Sequence, residues 1–209
     1  MNSQPQNPMS EEDEAQRHIG EMSLVEIGER LFQWRDYIAI PILIVVLFIG
    51  RPTARTATVG TLLLLAGQAL RVYAVAFLGP ESNTRDGQTD RVISHGPFAL
   101  IRNPLYFGNL VMILGVLIYS GAPIIGFLTL VYFLFQYHCI VKYEESLLLA
   151  KFGEEYHQYM ERVPAWIPEK LPVHEDFPVP PSFMIAMKAE QRSISTMTII
   201  LFLLMLSAG

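Results

Sequence analysis

The chain places a guanidinium and two adjacent carboxylates where a single helical hairpin brings them together. Arg102 stands just before an uncharged run of 39 residues, Asn103 to Val141, and Glu144 and Glu145 stand just after it. Ser120, Gly121, Ala122 and Pro123 interrupt the run near its middle, the composition of a turn between two helices. An antiparallel helix pair returns both ends to one side, so the cation and the two anions meet at one edge of the bundle. Charged groups there are costly unless they pair with one another or are used on a ligand. The residue types fit two readings: an interfacial salt bridge with the spare carboxylate in water, or a polar site. Ahead of the hairpin, His95, Gly96, Pro97, Asn103 and Pro104 supply turn formers and Tyr106 supplies an aromatic side chain at its mouth. A bare salt bridge leaves the second carboxylate unexplained.

The elements that must position these groups are membrane helices. Of 209 residues, 51% are hydrophobic and only 17% charged, and the mean hydropathy is +0.32; soluble domains run nearer about 25% charged. The net charge of -5 comes largely from Glu11, Glu12, Asp13 and Glu14, so nucleic acid is not an expected partner. A span needs about 20 apolar residues. Thr56 to Leu78, broken by Arg71, gives one span and the hairpin gives two. Tyr37 to Gly50, lengthened by Leu31, Phe32 and Trp34, gives another, and Ser193 to Gly209 a fifth. Twelve Lys and Arg then fall on the side of the N-terminus, against Arg51 and Arg55 opposite, which makes that side cytosolic. The expected architecture is all-α: a polytopic membrane bundle of about five transmembrane helices. A cytosolic amphipathic helix opens with Glu144 and Glu145 and carries Leu148, Phe152, Tyr156, Tyr159 and Val163 on its apolar stripe. Residues 1–30 read as a disordered acidic tail, 31–168 as the membrane core, and 169–209 as a Pro-rich linker with a C-terminal transmembrane helix. The acidic, polar start predicts no cleavable signal peptide. Cys139, the single cysteine, reads as a buried small hydrophobe, and the scattered histidines predict no metal site. Arg71 needs a carboxylate partner or must snorkel, and its expected role is structural.

The ordered set of motifs resembles the superfamily of integral membrane methyltransferases that includes isoprenylcysteine carboxyl methyltransferase and the phosphatidylethanolamine N-methyltransferases. The resemblance spans roughly residues 60 to 168. It rests on Gly96, Pro97 and Phe98; on Arg102, Asn103, Pro104, Tyr106 and Gly108; on Glu144 and Glu145 with Leu148; and on Phe152, Gly153, Tyr156, Tyr159, Val163 and Pro164. Leu70, Arg71, Leu78 and Gly79 are similar to the family's second core helix. The family's His after the Arg is Asn103 here, which looks like the phospholipid enzymes, whereas the downstream Phe-Gly and Val-Pro look like the isoprenylcysteine enzymes.

That resemblance implies a methyltransferase using S-adenosylmethionine on a lipid or lipophilic acceptor, with its site facing the cytosol. It implies His95, Gly96, Arg102, Tyr106, Glu144 and Glu145 as cofactor-binding residues and Arg102 and Asn103 as catalytic ones. A guanidinium grips a carboxylate through two hydrogen bonds, and carboxylates take an ammonium or ribose hydroxyls, all of which this cofactor offers. The Gly-rich strand-to-helix turn of the soluble alternative is absent, since no Gly-x-Gly-x-x-Gly occurs. Two other functions stay open: a nicotinamide-dependent membrane reductase of related fold, and a non-catalytic membrane interaction protein. The acceptor's nucleophile and the oligomeric state are not legible.

Overall fold

The computed structural model describes residues 11–78, 91–169 and 181–207. They form an all-α membrane bundle of helices α1 (Glu11–Ile49), α2 (Ala54–Leu78), α3 (Pro104–Ser120), α4 (Pro123–Phe152), α5 (Glu154–Arg162), α6 (Phe183–Ala189) and α7 (Gln191–Ser207), with a 3₁₀ turn at Gly96–Ala99. Gly79, Pro80, Arg85, Lys170 and the linker prolines Pro172, Pro178 and Pro180 lie outside the described residues.

The hairpin forms where the uncharged run predicts it. α3 ends at Ser120 because Gly121 takes a left-handed φ of 65°, the conformation that closes helices at their C-termini. Pro123 then opens α4, where its missing amide has no partner to lose. α2 lies antiparallel against α3 through two glycine pairs, Gly60 with Gly115 and Gly67 with Gly108. A Cβ at Gly60 would fall 2.6 Å from the Gly115 carbonyl oxygen, and one at Gly67 would fall 2.7 Å from that of Gly108. The seven-residue spacing within each helix puts both glycines on one face, so the backbones touch.

The structure bears on three expectations. Of the five expected spans, α2 and α4 are each long and apolar enough to cross alone, two bent helix pairs bring the number among the described residues to four, and α3 is a shorter apolar helix. α1 is bent by 63° between Met22–Arg35 and Tyr37–Ile49, next to Pro41, which lacks an amide for the Tyr37 carbonyl and clashes with it. α6 and α7 meet at 59°. α3, with 17 residues, is only about 25 Å long against a core of about 30 Å. Second, helix α1 begins at Glu11, inside the segment read as a disordered tail of residues 1–30. Gly28 seats that helix on α4, where a Cβ would fall 2.1 Å from the Cys139 carbonyl oxygen. Third, Glu144 and Glu145 do not open an amphipathic helix. Nothing between Val141 and Phe152 stops α4, which runs for 30 residues, about 45 Å, and so projects beyond a bilayer core. Gly153, at φ 54°, makes the break, and α5 follows it.

Candidate active site

The mouth of the hairpin is built by a turn that only glycine permits. His95 is extended, and Gly96 then adopts φ 59° with its Cα against the Phe77 ring, so that a Cβ would fall 2.3 Å from the ring. Both the left-handed conformation and the close approach exclude a side chain. The 3₁₀ turn that follows swings the chain so that Arg102 points toward α4 and α5, and Pro104 starts α3.

Arg102 is the hub. Its Nε donates to Glu145 Oε1 at 2.8 Å, and its Nη1 donates to the carbonyls of Met160 (3.0 Å) and Val163 (2.6 Å). The pair is buried, with side-chain exposures of 11% and 7%. The Arg102 amide donates to the Pro164 carbonyl at 2.9 Å, Asn103 Nδ2 to that of Ala165 at 3.2 Å, and Tyr159 Oη to that of Phe98 at 2.7 Å. These bonds strap α5 and the chain after it across the hairpin mouth. Glu144, on the other side of α4, accepts from Tyr106 Oη at 2.8 Å.

Under the strap lies a cavity of about 460 Å³, within the range of small-molecule sites, about 300–1,000 Å³. Arg91, Arg102, Lys151 and Glu144 supply its charges, and Tyr156 and Tyr159 of α5 form one wall. Burial, then the Glu145 carboxylate, pushes the Tyr156 hydroxyl far above its usual range; burial, then Tyr156, does the same to Tyr159. Both therefore remain hydrogen-bond donors at any working pH. His95 is pulled below its ordinary value by burial and by the Arg91 charge, which keeps the imidazole neutral.

The residues singled out from sequence thus fall into three groups. Arg102 and Glu144 line the cavity. Glu145 and Tyr106 stand behind them as partners, and Asn103 holds the strap. His95 and Gly96 pack against Phe77 at the back of the turn and do not line the cavity, and His95 Nε2 has no hydrogen-bond partner among the described residues. Sequence reasoning missed the wall tyrosines, which it placed on an apolar stripe, and the cations Arg91 and Lys151. The one available signal was that Tyr, unlike Leu or Phe, brings a hydroxyl that must find a partner when buried.

Residues 56–155 match the phospholipid methyltransferase family. A curated relative, protein-S-isoprenylcysteine O-methyltransferase B of Arabidopsis thaliana, is 28% identical over 115 residues, covering 52% of this chain and 57% of the relative. The chain therefore spans little more than half the length of that relative. No solved structure matches it. The family match contains every residue singled out as a site candidate and ends before Tyr156.

Proposed function

We propose, for a chain whose residues 56–155 belong to the phospholipid methyltransferase family, that it is an S-adenosylmethionine-dependent methyltransferase acting on a lipid or lipophilic acceptor. The observation that carries this reading is the cavity at the hairpin mouth. There Arg102 and Glu144, separated by the whole hairpin in sequence, face one space of about 460 Å³ lined by aromatic side chains.

The donor set fits such a cofactor. A zwitterion with a nucleoside attached asks for a cation, an acceptor and flat apolar walls. Arg102 and Lys151, Glu144, and Tyr156 with Phe98 supply these in turn. Glu144 accepts from Tyr106 through Oε1 and feels the Arg35 charge; as a carboxylate lining the cavity it suits an ammonium or a ribose hydroxyl. Arg102 is largely committed to Glu145 and to two carbonyls, so Nη2 is the nitrogen it offers a ligand, and its second task is to hold the α5 wall. S-adenosylmethionine, when bound, supplies an activated methyl group on a sulfonium. The chain's own contribution is to hold donor and acceptor in line and to keep water out. Tyr156 and Tyr159 of α5 line the cavity together with apolar Leu147 and Phe32, which suits a lipophilic acceptor. The excess of Lys and Arg on this side supports a cavity that faces the cytosol.

Isothermal calorimetry on detergent-purified protein tests the reading, with S-adenosylmethionine and NADPH as ligands. Binding of the former alone is expected. Binding of NADPH alone would transfer the cavity to the reductase reading, and binding of neither would leave a non-catalytic scaffold.

A further inference from the structure

A second polar cluster lies inside the bundle, away from the cavity. Arg71 of α2 grips Glu190, at the break between α6 and α7, with both arms: Nε donates to Oε2 at 2.8 Å and Nη2 to Oε1 at 2.7 Å. Gln68, one turn earlier on α2, donates Nε2 to Glu190 Oε2 at 3.1 Å and accepts from Ser193 Oγ at 2.9 Å. Arg71 Nη1 reaches Asn109 Oδ1 of α3. Glu190 is 5% exposed and Gln68 6%. Every polar atom of the ion pair is therefore used, within a span that is otherwise apolar from Thr56 to Leu78.

The cluster is coupled to the cavity through α2. Two turns beyond Arg71 the helix ends at Phe77, which seats the Gly96 turn, and at Leu78, which lines the cavity. α6 backs that last stretch. Ala186 packs with Val75 and Ala76, and the Ser182 amide donates to the Ala76 carbonyl at 2.9 Å. Ala74 and Phe77 meanwhile hold Ile93 and Phe98 of the turn. Gln68, Arg71 and Asn109 lie within the family match, whereas Glu190 and Ser193 lie outside it. A partly buried cation of the matched segment thus takes its carboxylate from the segment that follows.

We propose that the Arg71–Glu190 pair is an intramembrane clamp through which residues 181–207 hold the α2 wall of the cavity in place, which makes Glu190 a positioning residue for ligand binding there. The ligand's identity rests on the function proposed above; the clamp does not.

The test exploits a property of buried ion pairs: removing one partner strands a charge, whereas replacing both with apolar side chains of similar size is close to neutral. Arg71→Leu, Glu190→Leu and the double variant are compared as full chains in detergent. Each single variant should lower the melting midpoint by about 6–15 °C and weaken S-adenosylmethionine binding about tenfold or more. The double variant should recover most of both. A cysteine pair, Ala76→Cys with Ser182→Cys, should cross-link in the parent and double-variant backgrounds and less completely in the single ones. Single variants that melt and bind like the parent would overturn the clamp, as would a double variant no better than the worse single one. Loss of melting temperature with binding unchanged would leave a strut and overturn the positioning role. Should the single variants not survive purification, a folded, ligand-binding double variant still supports the clamp and an unfolded one refutes it. Failure of the parent itself to bind S-adenosylmethionine would count against the proposed function, while melting and cross-linking would still decide the clamp.

Discussion

Glu144 and Glu145 are neighbours in sequence, but the structure gives them opposite tasks, and exchanging each for Gln separates stability from binding. Glu145 is the buried partner of Arg102. Glu145→Gln keeps an acceptor oxygen at 2.8 Å from Nε but removes the charge that balances the guanidinium. Loss of a hydrogen bond to a charged group amounts to about 1.5–3 kcal/mol. The lower half of that range applies, because the carbonyls of Met160 and Val163 still hold Nη1. For a chain of this length about 1.5–2 kcal/mol lowers the melting midpoint by roughly 3–8 °C. Glu144→Gln also keeps its acceptor for Tyr106, takes from Arg35 only one nearby charge, and should move the midpoint by no more than about 2 °C. Its effect should appear in S-adenosylmethionine affinity, where a lost charge-assisted contact of about 1.5–3 kcal/mol weakens binding roughly tenfold to more than a hundredfold. Scanning fluorimetry and calorimetry on the same detergent preparations read both quantities. A Glu145→Gln protein that melts like the parent would refute the assignment of the buried pair. A Glu144→Gln protein with parental affinity would remove Glu144 from the ligand.

Three further outcomes follow from the same geometry. Reporters fused at Ser120 and at Ala165 should lie on opposite sides of the membrane, and a common side would break the hairpin topology. Gly96→Ala should destabilise the protein by more than the roughly 1 kcal/mol typical of a point change, because its φ of 59° and the Phe77 ring both oppose a Cβ; an unchanged melt would show that the turn relaxes freely. His95 titrates below 6.5 in the folded state, so on acidification an unfolded chain takes up the proton first and stability falls as pH drops from 6.5 toward the folded value. The midpoint of the parent should therefore decline across that window, and His95→Gln should flatten the decline; equal slopes for the two proteins would remove His95 as its source.

What the sequence made legible was local. The uncharged run from Asn103 to Val141, its Gly121 and Pro123 break, and the charges at its two ends are contiguous features, and they put Arg102 at the same end of the hairpin as Glu144 and Glu145. The partners were not legible, because most of them are backbone. Arg102 spends its donors on the carbonyls of Met160, Val163 and, through its amide, Pro164, and a carbonyl is carried by every residue alike. Arg71 called for a carboxylate on physical grounds, but Glu190 lies 119 residues away, beside a helix break that no glycine or proline at that point announces. The end of the α4 helix was misjudged for a related reason. Hydropathy falls after Val141, yet a fall in hydropathy marks the edge of the membrane and does not end a helix; the stop is Gly153, twelve residues on.

The two buried ion pairs illustrate why residue type could not assign roles to these charges. Arg71 meets Glu190 with both arms and shares it with Gln68, so three of about four acceptor sites on that carboxylate are taken and the pair serves to hold helices together. Arg102 meets Glu145 through Nε alone and spends Nη1 on two carbonyls, which leaves Nη2 at a cavity edge, while the adjacent Glu144 lines that cavity and accepts from Tyr106 through Oε1. A saturated pair stabilises; an unsaturated one beside a cavity can also bind. The distinction lies in how many lone pairs and N–H groups are already taken. On that count Glu144 is the carboxylate with capacity for a ligand, and Glu145 and Glu190 act through the cations they neutralise.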